Sequence, residues 1–346
     1  MIRGVNGGSF AGRSDRVSSA RPTHPTGPLP SPATLVGEEL RVVEQRLATL
    51  LQSREPRLSE IATYLIGAGG KRVRPAVTLL VFRACGGRVV RDAVDVAVAL
   101  ELIHSASLLH DDIIDENRVR RGCDSPRAKF GVAETLVTGD FLFSRAFQIC
   151  GRFDAQLIDW AADACIALTE GEFMQGRFRR NPAVTLDDYL EIIARKTASL
   201  FEVGARAAAS LAEAEPALVE AMARCGRHVG ITFQMIDDLL DVTAAEAELG
   251  KPVGLDVREG NPSLPLVLAI TSGDDDTRHL FARPELSEGE VSAVLGRLRR
   301  SGVIARGYAL AAEHAGIARE ALLALPDSPY RQHLLAMVDQ LLDRAA

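Results

Sequence analysis

Leu108-Leu-His-Asp-Asp-Ile-Ile-Asp-Glu116 and Phe233-Gln-Met-Ile-Asp-Asp-Leu-Leu-Asp-Val242 carry the same D-D-x-x-D spacing, the second set beginning 237 − 111 = 126 residues after the first. At helical periodicity Asp111 and Asp115 share one face with Asp112 beside them, and Asp237, Asp238 and Asp241 repeat the arrangement. Like charges so placed repel. Leu108, Leu109, Ile113, Ile114, Leu239 and Leu240 flank them, so both helices are built for burial, where ionised carboxylates are costly unless a cation lies between them. Oxygen-only ligands call for a hard cation, and Mg²⁺ usually keeps several waters and shares its shell with substrate phosphates. One copy alone reads as a solvated acidic helix face; two copies on apolar helices do not. His104, seven residues before Asp111, lies two turns up the same face and is read as ligand-binding rather than as a satisfied core histidine.

Around these helices, apolar residues three and four apart recur from about residue 37 to the end of the 346-residue chain. Short breaks at 53–57, 67–75, 86–91, 122–126, 180–186, 213–217, 246–263, 272–287 and 325–329 separate them, and nothing reads as a run of strands. With aromatics at 5% and abundant Ala and Leu, one all-α domain spanning 36–346 is the expectation. Residues 1–35 hold five Gly, five Pro and five Ser with a single acid, Asp15, and read as a disordered tail rather than a targeting signal. The net charge of −6 excludes an electrostatic nucleic-acid binder, and no uninterrupted apolar run is long enough to span a membrane. Cys85, Cys123, Cys150, Cys165 and Cys225 form no C-x-x-C pair and read as reduced, mostly buried thiols of a cytoplasmic protein.

Only four of the 40 basic residues are Lys, and three of these stand in Gly- or Thr-marked punctuation: Gly69-Gly-Lys-Arg-Val-Arg-Pro75, Lys196-Thr-Ala-Ser199 and Gly250-Lys-Pro-Val-Gly-Leu-Asp256. A Lys is a point charge that can follow a mobile diphosphate, whereas Arg offers a fixed fork. Lys71, Arg72 and Arg74 fall in a tight loop before a helix that Pro75 helps to start, a natural anion site. Phosphate contact is expected of Lys71, Arg74, Arg120, Arg121, Lys196 and Lys251; Arg118 and Lys129 read as solvated charges.

Taken together, GGKRVRP (69–75), LLHDDIIDENRVRRG (108–122), GDFLFSRAF (139–147), EGEFMQG (170–176), KTASLFEVGA (196–205), FQMIDDLLDV (233–242) and GKPVGLDVREGNPSLPL (250–266) resemble the trans-isoprenyl diphosphate synthases, also called the polyprenyl synthetase family. The resemblance implies an all-α, isoprenoid synthase type I fold: a single-domain bundle around a deep central cavity, the aspartate clusters facing each other at its mouth. It implies a prenyltransferase that joins isopentenyl diphosphate head-to-tail to an allylic diphosphate, with three Mg²⁺ ions per active site. By that likeness Asp111, Asp115 and Asp237 are direct metal ligands, and Asp112, Asp238 and Asp241 support them. Arg120, Lys196, Thr197, Gln234 and Lys251 hold the allylic diphosphate; Lys71, Arg74, His104 and Arg121 hold isopentenyl diphosphate; Gln175 is a polar position within the cavity. Catalysis would rest on Asp111, Asp115, Asp237, Arg120, Lys196 and Lys251, with released pyrophosphate as the proton acceptor. A homodimer is implied, although the chain could be the catalytic half of a heteromer.

Two features depart from the family pattern. Asn261 stands where many members carry Lys, so one cation of the closing loop is missing, and Cys123-Asp-Ser125 replaces a common Lys-Pro-Thr. Product length is read from Ala106 and Ser107, about one turn before Asp111, where a bulky aromatic would form a floor. Their small side chains predict a medium or long all-trans polyprenyl product over geranylgeranyl diphosphate, unless Phe147 or Phe173 closes the tunnel from another helix. A class I terpene cyclase is disfavoured by the intact second cluster. A phosphohydrolase built on His110-Asp111 lacks further His ligands, and a non-catalytic partner subunit would have lost more of the charged set.

Overall fold

In the computed structural model, residues 35–120, 122–244 and 253–343 are described. Arg121, Lys251 and residues 1–34 of the expected tail lie outside them. Sixteen α-helices follow one another among the described residues. Helices α1 (Gly37–Leu50), α2 (Pro56–Gly67) and α3 (Val73–Ala84) lead to α4 (Val90–Ile114). A two-residue antiparallel hairpin, β1 (Val119–Arg120) with β2 (Cys123–Asp124), sets Val119 opposite Asp124 and Arg120 opposite Cys123. Next come α5 (Pro126–Phe130), α6 (Val132–Cys150), α7 (Ala155–Phe178) and α8 (Leu186–Ile193). A π-helical turn (Ala194–Ala198) joins α8 to α9 (Ser199–Leu211), and α10 (Pro216–Thr243) follows. The chain closes with α11 (Leu255–Glu259), α12 (Leu264–Thr271), α13 (Asp275–Phe281), α14 (Glu288–Arg300), α15 (Val303–Leu322) and α16 (Pro329–Asp343).

Local chemistry sets these boundaries. Pro56, Pro126 and Pro216 occupy first-turn positions, where a missing N–H costs nothing. Thr185 with Asp188 and Ser287 with Glu290 form capping boxes, and Asp154 accepts from the Leu157 N–H. The hairpin is the one sheet among the described residues, and no strand periodicity announces so short a pair.

Helix α4 is the axis of the bundle, packed by α1, α3, α6 and α9. It is the one described helix long and apolar enough to cross a membrane, yet 78% of its apolar window is buried inside the protein, as suits a core helix. The charges it carries inward are paired: Asp95 with Arg46 and Arg152, Glu101 with Arg72. Pairing offsets the desolvation that burial imposes on each. Two apolar clusters meet along α10, the first around Met222, Cys225 and Val229, the second around Met235, Ile236 and Leu239. The cysteines are all unpaired, as expected, but only Cys225 is fully buried; Cys123 is exposed on the hairpin, and Cys85, Cys150 and Cys165 are half-buried at the edges of the helix packing.

Candidate active site

Asp111 and Asp115 end α4, Asp115 as the capping residue whose N–H donates to the Asp111 carbonyl at 2.8 Å. The second cluster lies in the last turns of α10. A polar cavity of about 210 Å³ brings the two together, lined by Asp115, Gln175, Lys196, Thr197, Gln234, Asp238 and Asn261 among others. A second, mostly apolar cavity of about 560 Å³ opens from Asp111 along α4, α6 and α7, past Ser107, Phe143, Leu168 and Phe173. Charged groups therefore stand at the head of an apolar channel.

The aspartates differ in how they are held. Asp112 is fully buried and accepts from Arg120 Nε at 2.8 Å, so it orients that arginine instead of facing the cavity. Burial raises its pKa and Arg120 opposes the rise. Asp238 is fixed by three donors: Tyr189 Oη at 2.8 Å, the Leu264 N–H at 3.0 Å and Gln234 Nε2 at 2.8 Å. Burial pushes Asp238 up to about 6 against those hydrogen bonds. Asp241 receives the Asp256 N–H at 3.2 Å and so docks the start of α11. These three anchor the site's walls. Burial, reinforced by Glu172 and Asp115, pushes Asp111 up to about 7, although Lys196 works the other way.

Lys196 and Thr197 stand on the π-helical turn, a wider coil that re-aims side chains and recurs at functional sites. Lys196 Nζ pairs with Glu172 and lies 4.0 Å from Asp111 Oδ2. Burial disfavours its charge, yet Asp111 and Glu172 outweigh that and hold its pKa above the ordinary value. Thr197 Oγ1 donates to Gln234 Oε1 at 2.9 Å, continuing the chain to Asp238. Gly171 of α7 permits this approach, since a Cβ there would come within 2.5 Å of the Lys196 backbone nitrogen.

The residues expected at the isopentenyl side are less gathered. Arg72, in a left-handed conformation before α3, is engaged by Glu44 and Glu101 and so is not an open anion donor. Arg74 stacks 4.8 Å from the Phe201 ring centre, its Nε buried without a partner, and burial lowers its pKa to about 10. Lys71 is exposed and lines a separate apolar cavity of about 320 Å³ beneath α16. His104 is half-buried on α4, with Ser107 Oγ donating to its carbonyl at 2.8 Å. Of the two proposed floor residues, Ser107 faces the apolar channel, whereas Ala106 is fully buried in the core, since a step of one residue turns the side chain about 100° around α4. Phe173 lines the channel, while Phe147 is exposed and stacks on Phe143. Arg121 and Lys251, as noted, fall outside the described residues.

Four participants escaped the sequence reading: Glu172, Arg179, Tyr189 and Glu259. Glu172 stood inside a matched block, and its partnership with Lys196 needs the α7 packing to be seen. Arg179 pairs with Asp115 and donates from Nε to Asn261 Oδ1 at 3.1 Å. Glu259 accepts from Asn261 Nδ2 at 2.7 Å, and burial beside Asp115 pushes it up to about 7.

The sequence pattern of the polyprenyl synthetase family matches residues 55–296, and the cavity and both aspartate clusters lie inside that span. The chain belongs to the polyprenyl synthetase family. It is 35% identical over 315 residues to an octaprenyl diphosphate synthase of Haemophilus influenzae, covering 90% of this chain and 95% of that protein. It is 34% identical over 298 residues to a geranylgeranyl diphosphate synthase of Methanosarcina mazei, covering 84% of this chain and 91% of that one. Among solved structures, a polyprenyl synthase from Caulobacter crescentus complexed with calcium and isoprenyl diphosphate superposes with a TM-score of 0.87 at 33% identity, over 94% of this chain and all of the other. The all-α polyprenyl synthetase fold is thereby established, and with it a prenyltransferase.

A divalent cation suits the donor set. Among the described residues no three His, Cys, Asp or Glu side chains converge on one point. The half-buried Asp111, Asp115 and Glu172 repel one another, offset in part by Lys196 and Arg179, and supply negative charge that such an ion would relieve.

Proposed function

We propose that this chain is an all-trans polyprenyl diphosphate synthase, condensing isopentenyl diphosphate head-to-tail with an allylic diphosphate to give a medium or long prenyl chain. The observation that carries the reading is a polar, carboxylate-and-lysine-lined cavity reached by Asp115 and Gln175, with an apolar cavity lined by Asp111 and Glu172 on the same two helices. Mg²⁺, held by Asp111, Asp115 and Asp237, would supply Lewis acidity that stabilises the departing diphosphate. Lys196, Thr197 and Gln234 bind the allylic diphosphate and concentrate positive charge and hydrogen-bond donors where negative charge grows. Arg120, oriented by Asp112, adds a fixed guanidinium, and Lys251 is assigned to the same diphosphate. Arg74, His104, Lys71 and Arg121 are assigned to isopentenyl diphosphate; the buried, unpartnered Arg74 Nε is the strongest support for that side. Phe143 and Leu168 exclude water from the allylic tail, which protects an electron-deficient carbon from hydrolysis. No side chain is needed as base if the released pyrophosphate takes the proton.

The exposed apolar residues Leu136, Val137, Phe147, Ile158 and Ile166 on α6 and α7 support a homodimer that covers this face. Five free thiols are in keeping with a cytoplasmic enzyme. The test is incubation of purified protein with labelled isopentenyl diphosphate, separate allylic primers and Mg²⁺, with the dephosphorylated products sized. Chains beyond twenty carbons, abolished in Asp111→Ala and Asp237→Ala, are expected. A sharp stop at fifteen carbons would refute the product assignment, and no condensation with any primer would refute an enzyme that works without a partner subunit.

A further inference from the structure

Asn261 leaves the loop after α11 without a cation of its own, yet the cavity it lines is rich in acid: Asp115, Asp238, Asp256 and Glu259 all border it. Asn261 is 7% exposed and spends both ends of its carboxamide, accepting from Arg179 and donating to Glu259. Arg179 follows the last turn of α7 and reaches across to Asp115 at the end of α4. Its guanidinium is thus placed between two residues that line the diphosphate-sized cavity. A neutral amide on one side orients it without cancelling its charge.

Arg180 locks this arrangement. Its backbone, in the left-handed region at φ 56°, donates to the Gly260 carbonyl at 2.9 Å. Its guanidinium donates to the carbonyls of Arg283 and Arg258 at 2.5 and 2.8 Å. Gly260, with φ 70°, admits the crossing, because a Cβ there would meet Arg180 Cγ at 2.4 Å. The end of α7 and the Gly260–Asn261 corner are clasped as one unit, so the neighbourhood of Arg179 and Asn261 is built into the fold.

We propose that Arg179 is a substrate-binding cation of this enzyme, contacting the allylic diphosphate from beside Asn261 and Asp115. The proposal rests on the prenyl-synthase reading and deepens it. Without ligand, Asp115 holds the guanidinium. A diphosphate entering the cavity competes for it, since Arg makes strong charge-assisted, often bidentate contacts to phosphate as it does to carboxylate. The side chain needs only to swing while its Nε stays on Asn261.

The experiment compares wild type, Arg179→Ala, Arg179→Gln, Asn261→Lys, the double variant Arg179→Ala with Asn261→Lys, and Lys196→Ala. Calorimetry measures the binding of an allylic thiolodiphosphate, uncleavable because sulfur replaces the bridging oxygen, and of inorganic pyrophosphate, each with Mg²⁺. Circular dichroism and the thermal midpoint check folding. Arg179→Ala and Arg179→Gln are expected to bind both probes about tenfold or more weakly, and the double variant to return to within about threefold of wild type. Unchanged affinity in folded Arg179→Gln would overturn the proposal, as would a double variant no better than Arg179→Ala. Should Arg179→Ala unfold, Arg179→Gln and the double variant decide. Weakened binding in Lys196→Ala alone leaves the prenyl-synthase reading standing without Arg179, whereas wild-type protein that binds neither probe overturns that reading and this proposal together.

Discussion

Asp238 shows how a carboxylate is kept in an apolar wall. Three donors from three elements converge on it, and each removes part of the desolvation penalty that burial imposes. Tyr189→Phe deletes one donor and little volume, leaving a buried carboxylate less satisfied. Urea unfolding of that variant is expected to show a loss of about 1.5–3 kcal/mol, the range for a hydrogen bond to a charged group. A stability equal to wild type would mean that Gln234 and the Leu264 N–H already satisfy Asp238 without the tyrosine. This residue also marks the limit of reading the chain alone. The two D-D-x-x-D sets announce themselves by spacing, and Lys196 by its rarity. Tyr189 gives no such signal: an aromatic at helical spacing reads as core, which it is, and its hydroxyl contact with Asp238 crosses 49 positions. Arg179 was equally silent, one arginine among 36 in a chain that favours arginine throughout.

Many helix breaks were legible because Gly, Pro and capping residues act locally, but the breaks at 151–154 and 301–302 were not read and α11 and α13 form inside stretches read as breaks; contacts between elements were not legible at all. At the α7 crossing Gly171 meets the π-helical turn, and two effects of Gly171→Ala oppose each other there. Helix propensity favours alanine by roughly 0.5–1 kcal/mol. The new methyl, however, would lie 2.5 Å from the Lys196 backbone, and forcing such contact costs about 1–3 kcal/mol. The clash wins, so the thermal midpoint should fall and kcat/KM should fall about tenfold or more as Lys196 is displaced. A more stable, fully active variant would show that the crossing is looser than this. Between α10 and α15, His228 and His314 share a hydrogen bond, Nδ1 to Nδ1 at 2.9 Å. Burial first, then His314, Arg227 and Arg224, lowers His228 to about 4; burial also lowers His314, against the pull of Glu313. Between about pH 6.5 and 4 the unfolded chain therefore binds protons that the folded one refuses, so stability is full above 6.5 and is lost as pH falls. Thermal midpoints recorded from pH 7.5 to 5 should drop less steeply for His228→Asn than for wild type. Parallel curves would mean that the pair opens freely to solvent.

At the scale of the whole molecule, product length depends on how far the channel beside α4 continues. Asp111 and Ser107 line its upper part, and Ile103, Leu100, Ala99 and Val96 line a small void of about 30 Å³ further down, facing Ala161, Ala164, Leu200 and Val203 of α7 and α9. These α4 positions recur every three or four residues, so they form one stripe. At 1.5 Å per residue Ser107 lies about 6 Å and Ala99 about 18 Å below Asp111. A tail growing down this stripe would meet the two positions in turn. Ser107→Phe should therefore give the shortest products and Ala99→Phe an intermediate set, with wild type the longest. The first condensation should stay within about threefold of wild type, because neither side chain reaches the charged head. Ala106→Phe is the contrasting case: its Cβ faces a filled core, and overpacking there should cost about 1–3 kcal/mol without shortening the product. If Ser107→Phe shortens the chain while Ala99→Phe leaves it as in wild type, the tail does not run down α4. It would leave the channel sideways past Phe173, which is 80% exposed, and the length limit would belong to whatever covers that face.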